Sequence, residues 1–288
     1  MPLLAYTAIY VIWGTSYLAI RVAVGSIPPL LMMGLRCTAA GTLLLAWAAL
    51  RGDRMTWRWW GHALVAGGLM FGVCYGGLAW AEQRLASGLT ALLAATSPLW
   101  FVVFEWAGGA RPSAAAMAGL AAGVAGVGLL VGGPGSAAFQ LAPMLAVMVG
   151  TLAWVGGSLY ARPPRVPSSF PLAVGMPLFA GGVLLLALSW GAHEMGRFHP
   201  GAVRSASVAA LVYLVVFGSI VAFSAYAWLL RNAPPWRVGT YAYVNPLIAV
   251  TLGAGFAGET ITTTIVVAAL VIAASVALVL LSKGARHE

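Results

Sequence analysis

The chain has 288 residues, of which 61% are hydrophobic and only 7% charged, and its mean hydropathy is +0.94. A soluble domain is about 25% charged, so 15 basic and 6 acidic side chains cannot cover a water-facing surface of this size; a cytosolic enzyme, a nucleic-acid binder and a disordered chain are excluded. The formal charge of +9 implies no polyanionic partner, because the arginines stand singly between apolar runs instead of forming a patch.

Ten apolar runs follow one another, each close to the 20 or so residues that cross a bilayer as a helix. They cover 3–24, 30–50, 61–80, 88–107, 114–132, 141–161, 172–190, 208–230, 238–257 and 263–282. The separators are short and polar, or rich in proline and glycine, as at 26–29, 51–58, 162–169 and 232–237. Backbone amides in lipid must be satisfied within their own segment, which selects helices. A β-barrel would need strands of alternating polarity, and these runs are apolar all round. No basic region precedes residue 3, so the first run reads as a span and not as a cleavable signal. The expected fold is an all-α integral membrane protein of ten transmembrane helices. With the N-terminus inside, the inner loops and tail hold ten basic residues: Arg51, Arg54, Arg58, Arg111, Arg162, Arg165, Arg231, Arg237, Lys283 and Arg286. The outer loops hold three, Arg84, Arg197 and Arg204. This bias places both termini in the cytoplasm. Cys37 and Cys74 lie within apolar runs and read as packed thiols.

Two pieces of the first half echo the second. WGTSYLAIR at 13–21 shares Trp, Leu and Arg in register with WVGGSLYAR at 154–162, and 75–99 shares an Ala-Trp and a Pro-Leu pair with 223–247. Both matches divide the chain into five spans plus five, at 1–134 and 135–288. Five being odd, the second half enters the membrane upside down. Inverted repeats of this kind mark secondary transporters, with the substrate site near the midplane between the halves.

Within the spans, charge is scarce. Glu82 and Glu259 fall at outer ends, Glu105 near an inner end, and Arg21 sits where it can snorkel to the headgroups. Arg36, two turns into the second span, is the candidate for a buried functional charge, with a structural pairing or snorkelling role as the alternative. Lacking a central acid, the chain favours uniport, or coupling through some other group, over antiport through an embedded carboxylate. Substrate-binding candidates are aromatic or small and polar. Trp13 and Tyr17, Thr96 and Trp100, Trp154 and Ser158, and Tyr241 and Asn245 are pairs at i, i+4 spacing that share a helix face. Tyr75 and Tyr226 join them at matching depths in the third and eighth spans. Rings from both halves suit a flat, apolar substrate, and hydroxyls with the Asn245 amide suit the ends of a zwitterion.

Pro98 and Pro246 occupy related mid-span positions and are candidate hinges; Pro177, without a counterpart, reads as structural. Gly119, Gly123 and Gly126, and Ala269, Ala273 and Ala277, present small faces for helix packing. Trp47, Trp57, Trp59 and Trp60 read as an inner interfacial belt. His62, His193, His199 and His287 lack ligand spacing, so no metal and no cofactor is expected. The segment 191–207, with His193, Glu194, Arg197 and His199, reads as a solvated loop.

At the Trp13–Gly14 opening, Ser97–Pro98, Asn245–Pro246 and Gly258–Glu259, the chain resembles the drug/metabolite transporter superfamily, in its ten-helix EamA branch. The first repeat departs from the pattern, with Ala110–Arg111 where Gly-Glu is expected. Within the branch it is most similar to bacterial aromatic-amino-acid exporters of the YddG type. The resemblance implies export across the bacterial inner membrane and no enzymatic activity. The expected function is a multi-pass exporter of small metabolites, foremost aromatic or neutral amino acids, working by alternating access. The alternatives are a proton-coupled broad drug/metabolite exporter and a membrane-embedded lipid enzyme. The expected partners are a small-molecule substrate and membrane lipid, without nucleic acid; a monomer is compatible with the pattern.

Overall fold

The computed structural model describes residues 2–109, 111–132, 140–162, 164–233, 238 and 240–284. The expected boundary between 134 and 135, Ala110, Arg237, Arg286 and His287 lie outside them, as do the side chains of Glu105, Arg231 and Lys283. The described residues form helices and no strand. Among the described residues, seven helices have the length and apolarity to cross a membrane, and three shorter apolar helices, Ala114–Leu130, Val244–Ala257 and Thr263–Val279, accompany them.

Helix α1 spans Pro2–Val24 and α2 Pro29–Leu50, where Pro29 at the first helical position needs no amide partner. Helix α3, Arg58–Glu82, contains an eight-residue π-helical stretch, Gly68–Tyr75. Helix α4 has two pieces, Ser87–Ala94 and Ser97–Ala107. Then follow α5 Ala114–Gly132, α6 Leu141–Tyr160, α7 Phe170–Gly191, α8 Ser205–Leu229, α9 Tyr241–Ala257 and α10 Thr263–Gly284. Helix α8 holds the other π-helical stretch, Leu214–Val221. Wide turns of this kind inside α-helices re-aim the side chains beyond them and recur at functional sites.

The two mid-span prolines act differently. At Pro98 the helix is broken: the Thr96 amide and hydroxyl both turn back to Leu93 O, at 3.2 and 2.7 Å, and Pro98 opens the second piece. At Pro246 the helix runs through. Asn245 there, with its amide nitrogen toward the carbonyls, donates to Tyr241 O at 3.2 Å and to Tyr10 O at 3.1 Å, joining α9 to α1.

Glycines set the helix contacts. Gly34, Gly41 and Gly182 put the backbones of α2 and α7 against each other; a Cβ on Gly41 would lie 2.5 Å from Phe179 N. Gly119, Gly123 and Gly126 of α5 receive Ser275, Leu99 and Ile272, so the small-residue face packs within one chain. Gly67 of α3 meets α7 at Pro177: a Cβ there would run into Pro177 O and lie 2.9 Å from Gly181 N. Gly67→Val is therefore expected to cost about 3 kcal/mol or more, since backbone cannot yield as side chains do. The check is the melting temperature of the purified variant, and an unchanged value would contradict this packing.

The segment after α7 is not a plain solvated loop. His193 takes a left-handed conformation (φ 54°) that turns the chain into a single helical turn, Glu194–Arg197. Glu194 is buried there: it accepts from the amides of Leu30 and Leu31 (3.3 and 2.9 Å) and from Ser189 Oγ (2.9 Å). It thus satisfies the first turn of α2, whose orphan amides and dipole favour a negative charge. The amides that Glu194 holds lie more than 160 residues away along the chain, so its own stretch of sequence carries no sign of this.

Candidate substrate cavity

One face of α1, at spacing i, i+3, i+4, i+7, carries Trp13, Ser16, Tyr17 and Ile20 to a central cavity of about 100 Å³. Helix α3 adds Cys74, Tyr75 and Leu78, just at and beyond its π-helical stretch. Ala94 and Ser97 flank the break in α4, Thr151 and Trp154 come from α6, and Tyr241 and Asn245 from α9. Arg36 is the contribution of α2.

The rings form one cluster. Trp154 lies parallel to Tyr75 (centroids 6.0 Å, 7° between planes) and edge-on to Trp13 (6.3 Å, 90°). Trp13 also meets Tyr241 at 5.1 Å and 81°. Its indole N–H donates to Gly218 O at 3.3 Å, at the π-helical stretch of α8. These are the offset and edge arrangements that aromatic quadrupoles favour, so the cavity wall is rigid as well as apolar.

Among the described residues, Arg36 is the one charged side chain on this wall. It is 2% exposed. Its Nε donates to Ser219 Oγ at 2.9 Å, an Nη reaches Met33 Sδ at 3.8 Å, and its guanidinium carbon lies 4.6 Å above the Tyr75 ring. Among the described residues it has no carboxylate partner. Gly218 keeps the space clear: a Cβ would come within 3.0 Å of Arg36 Nη2. A buried guanidinium held by a hydroxyl, a sulfur and a ring retains unspent donors, which an anion in the cavity could satisfy.

Of the residues expected to bind substrate, the structure gathers Trp13, Tyr17, Tyr75, Trp154, Tyr241 and Asn245 on the cavity wall. Four lie elsewhere. Tyr226 stands behind the wall, its ring 5.1 Å from Trp13. The Thr96 hydroxyl is committed to Leu93 O, and Ser158 Oγ donates to Trp154 O at 2.7 Å. Trp100 packs, half-buried, beyond the break in α4. Sequence reasoning missed Ser16, Ile20, Cys74, Leu78, Ala94, Ser97 and Thr151. The signal for Ser16, Ile20 and Thr151 was present, since they are three or seven positions from a named tryptophan.

One turn beyond the cavity, at the α1–α2 end, Arg21 does not snorkel. It pairs with Glu259 (Nε–Oε1 3.3 Å) and donates to the carbonyls of Leu85 and Glu82. Glu259 in turn accepts from Ser87 N (2.7 Å), Ser87 Oγ (2.9 Å) and Gly88 N (3.2 Å). This ties α1, α4 and the turn after α9 together above the cavity.

A model of the EamA-like transporter family matches residues 2–132 and again 141–281. The inner membrane transporter YedA of Escherichia coli (strain K12) is 37% identical over 281 residues, covering 97% of this chain and 90% of that protein. Protein PecM of Dickeya dadantii (strain 3937) is 26% identical over 84% of this chain and 80% of its own length. A solved crystal structure superposes with a TM-score of 0.67 over 98% of both chains at 24% identity, a likeness of fold.

Proposed function

The chain belongs to the EamA-like transporter family, and on that premise we propose that it exports aromatic amino acids across the bacterial inner membrane by alternating access, as exporters of the YddG type do. The observation that carries this reading is the Arg36 guanidinium, without a carboxylate partner among the described residues, in a cavity walled by Trp13, Tyr75, Trp154 and Tyr241. Rings receive an aromatic side chain by stacking and edge contact, and a guanidinium receives a carboxylate in bidentate fashion. Asn245, Ser16 and Thr151 are placed for the ammonium end.

In this reading the seven long and three shorter apolar helices are ten spans, with both termini cytoplasmic in keeping with the distribution of Lys and Arg. The two matches to the family model support a division into repeats of 1–134 and 135–288. The cavity draws on α1, α2, α3 and α4 of the first and α6 and α9 of the second, as expected of a site between inverted repeats. The α1–α2 end is then outside, and the Arg21–Glu259 group is the outer closure.

The test is uptake of labelled tryptophan, phenylalanine and threonine into liposomes holding the purified protein, beside a Trp13→Ala, Trp154→Ala double variant. Wild-type protein is expected to move tryptophan and phenylalanine, and the variant to lose roughly tenfold or more of that rate, from two aromatic contacts of about 1 kcal/mol each. Wild-type protein that moves none of the three removes amino acids as the substrate and leaves a broad drug/metabolite exporter.

A further inference from the structure

Glu82 ends the span Arg58–Glu82 with 1% of its surface exposed, and neither carboxylate oxygen has a hydrogen-bond partner among the described residues. Two other acids at this end are satisfied: Glu194 by two backbone amides and Ser189, Glu259 by Ser87, Gly88 and Arg21. An ionised carboxylate in the place of Glu82 loses its hydration without a hydrogen bond in return, and a protonated one forgoes its hydrogen bond. Neither form gains stability, so packing does not account for the residue. An ionisable group inside a span that brings the fold no benefit is a functional group first.

Its surroundings suit a group that takes up and gives back a proton. The titratable and charged groups that face it are Arg21 and Tyr17 of α1, Arg36 of α2 and Glu259 beyond α9. Arg21 touches it through the backbone alone, donating to Glu82 O at 3.4 Å, while its charge goes to Glu259. Leu78, one turn back on the same helix, lines the cavity, so Glu82 stands one turn from the substrate space. In the sequence the residue falls at the end of its span and looks water-exposed; burial in the folded chain makes it an interior acid.

We propose that Glu82 is the proton-binding site of this transporter, protonated when the cavity is open to the outside and deprotonated when it is open to the cytoplasm, in exchange for the exported substrate. The step is a carboxylate taking one proton from water on one side and releasing it to water on the other, with no further reactant. Coupling follows from the missing hydration. A closed, empty cavity carries this acid only in its neutral form, so the empty transporter returns inward with a proton aboard. On the outward leg the substrate's ammonium group supplies the compensating charge. The proposal rests on the export reading above, and it replaces the uniport expected from sequence.

The first arm of the test needs no substrate. Infrared difference spectra of the purified protein between acid and alkaline buffer are expected to contain the carbonyl band of a protonated carboxylic acid. The band should vanish in Glu82→Gln, return shifted in Glu82→Asp and persist in Glu194→Gln. A band unaltered in Glu82→Gln overturns the proposal. The second arm is uptake of labelled tryptophan into liposomes with an acidic interior. One proton exchanged per substrate across one pH unit sustains about tenfold accumulation. Glu82→Gln is expected to abolish the accumulation, and Glu82→Asp, which keeps the acid, to restore part of it. Equal accumulation by Glu82→Gln and wild-type protein also overturns the proposal. If the wild-type protein takes up no tryptophan at all, the substrate assignment fails, and the infrared arm alone decides the role of Glu82.

Discussion

Arg36→Met is expected to raise the melting temperature and, at the same time, to abolish uptake of carboxylate-bearing substrates. The two effects have opposite signs because they concern different states. In the empty protein a guanidinium 2% exposed, without an acid partner among the described residues, is held by Ser219, Met33 and the Tyr75 ring, which do not return its hydration energy. Met fills much of the same apolar volume without a charge, so the empty fold gains. With substrate bound, removing one partner of a buried charge pair costs roughly 2–5 kcal/mol, which is on the order of 30-fold to several thousandfold in affinity. Tryptamine, which has the ring and the ammonium without the carboxylate, supplies the control: its binding should be spared. Gly218→Val, which pushes on the same guanidinium from α8, is expected to weaken uptake of the same substrates less severely and to lower the melting temperature, since it adds bulk without removing the charge. An Arg36→Met protein that binds tryptophan as wild type does would remove this residue from the site.

Glu259→Gln is expected to loosen the closure at the α1–α2 end. The carboxylate of Glu259 holds two backbone amides, one hydroxyl and the Arg21 guanidinium at once. The Arg21 side chain is 35% exposed, so water screens its share. The amides of Ser87 and Gly88 begin a helix piece and face inward, and each charge-assisted bond to them is worth about 1.5–3 kcal/mol. Losing on the order of 3 kcal/mol shifts an open–closed equilibrium about a hundredfold. Native Cys74 reports it, because it lines the cavity and is otherwise buried. In a Cys37→Ala background, a membrane-impermeant thiol reagent added from that side should label Cys74 about a hundredfold faster in Glu259→Gln. An unchanged labelling rate would mean that the contact does not close the cavity.

The helical, membrane-spanning character of the chain was legible because lipid leaves so few alternatives: apolar runs of about 20 residues admit helices and little else. The side-chain pairs were legible only where the helix is regular. Trp13 with Tyr17 and Tyr241 with Asn245 sit on unbroken α-helix, and the i, i+4 rule brings both members of each pair to the cavity. Thr96 with Trp100 fails because the helix breaks at that threonine and the hydroxyl is used to end the first piece. Ser158 fails in another way, since it lies one turn from Trp154 on the side away from the cavity, while Thr151 on the other side lines it. Charge was the least legible feature. Arg21, Glu82, Glu194 and Glu259 occupy span ends where a single helix exposes them to water. Apart from Ser189 beside Glu194, their partners lie 61 to 238 residues away along the chain, or are missing among the described residues, and no local pattern encodes either circumstance.

The glycine contacts between α2 and α7, and between α5 and α10, have a mechanical consequence. Side chains at an interface accommodate motion by changing rotamer, whereas backbone touching backbone at Gly41, Gly182 and Gly119 has no such freedom. Each pair therefore behaves as a welded beam. Helix α3 joins the first beam through Gly67, while at the cavity itself the helices face one another through rings, hydroxyls and one arginine, which act as bearings. Work done at the cavity is transmitted by these beams as whole bodies, and the compliance of the molecule is concentrated around the substrate.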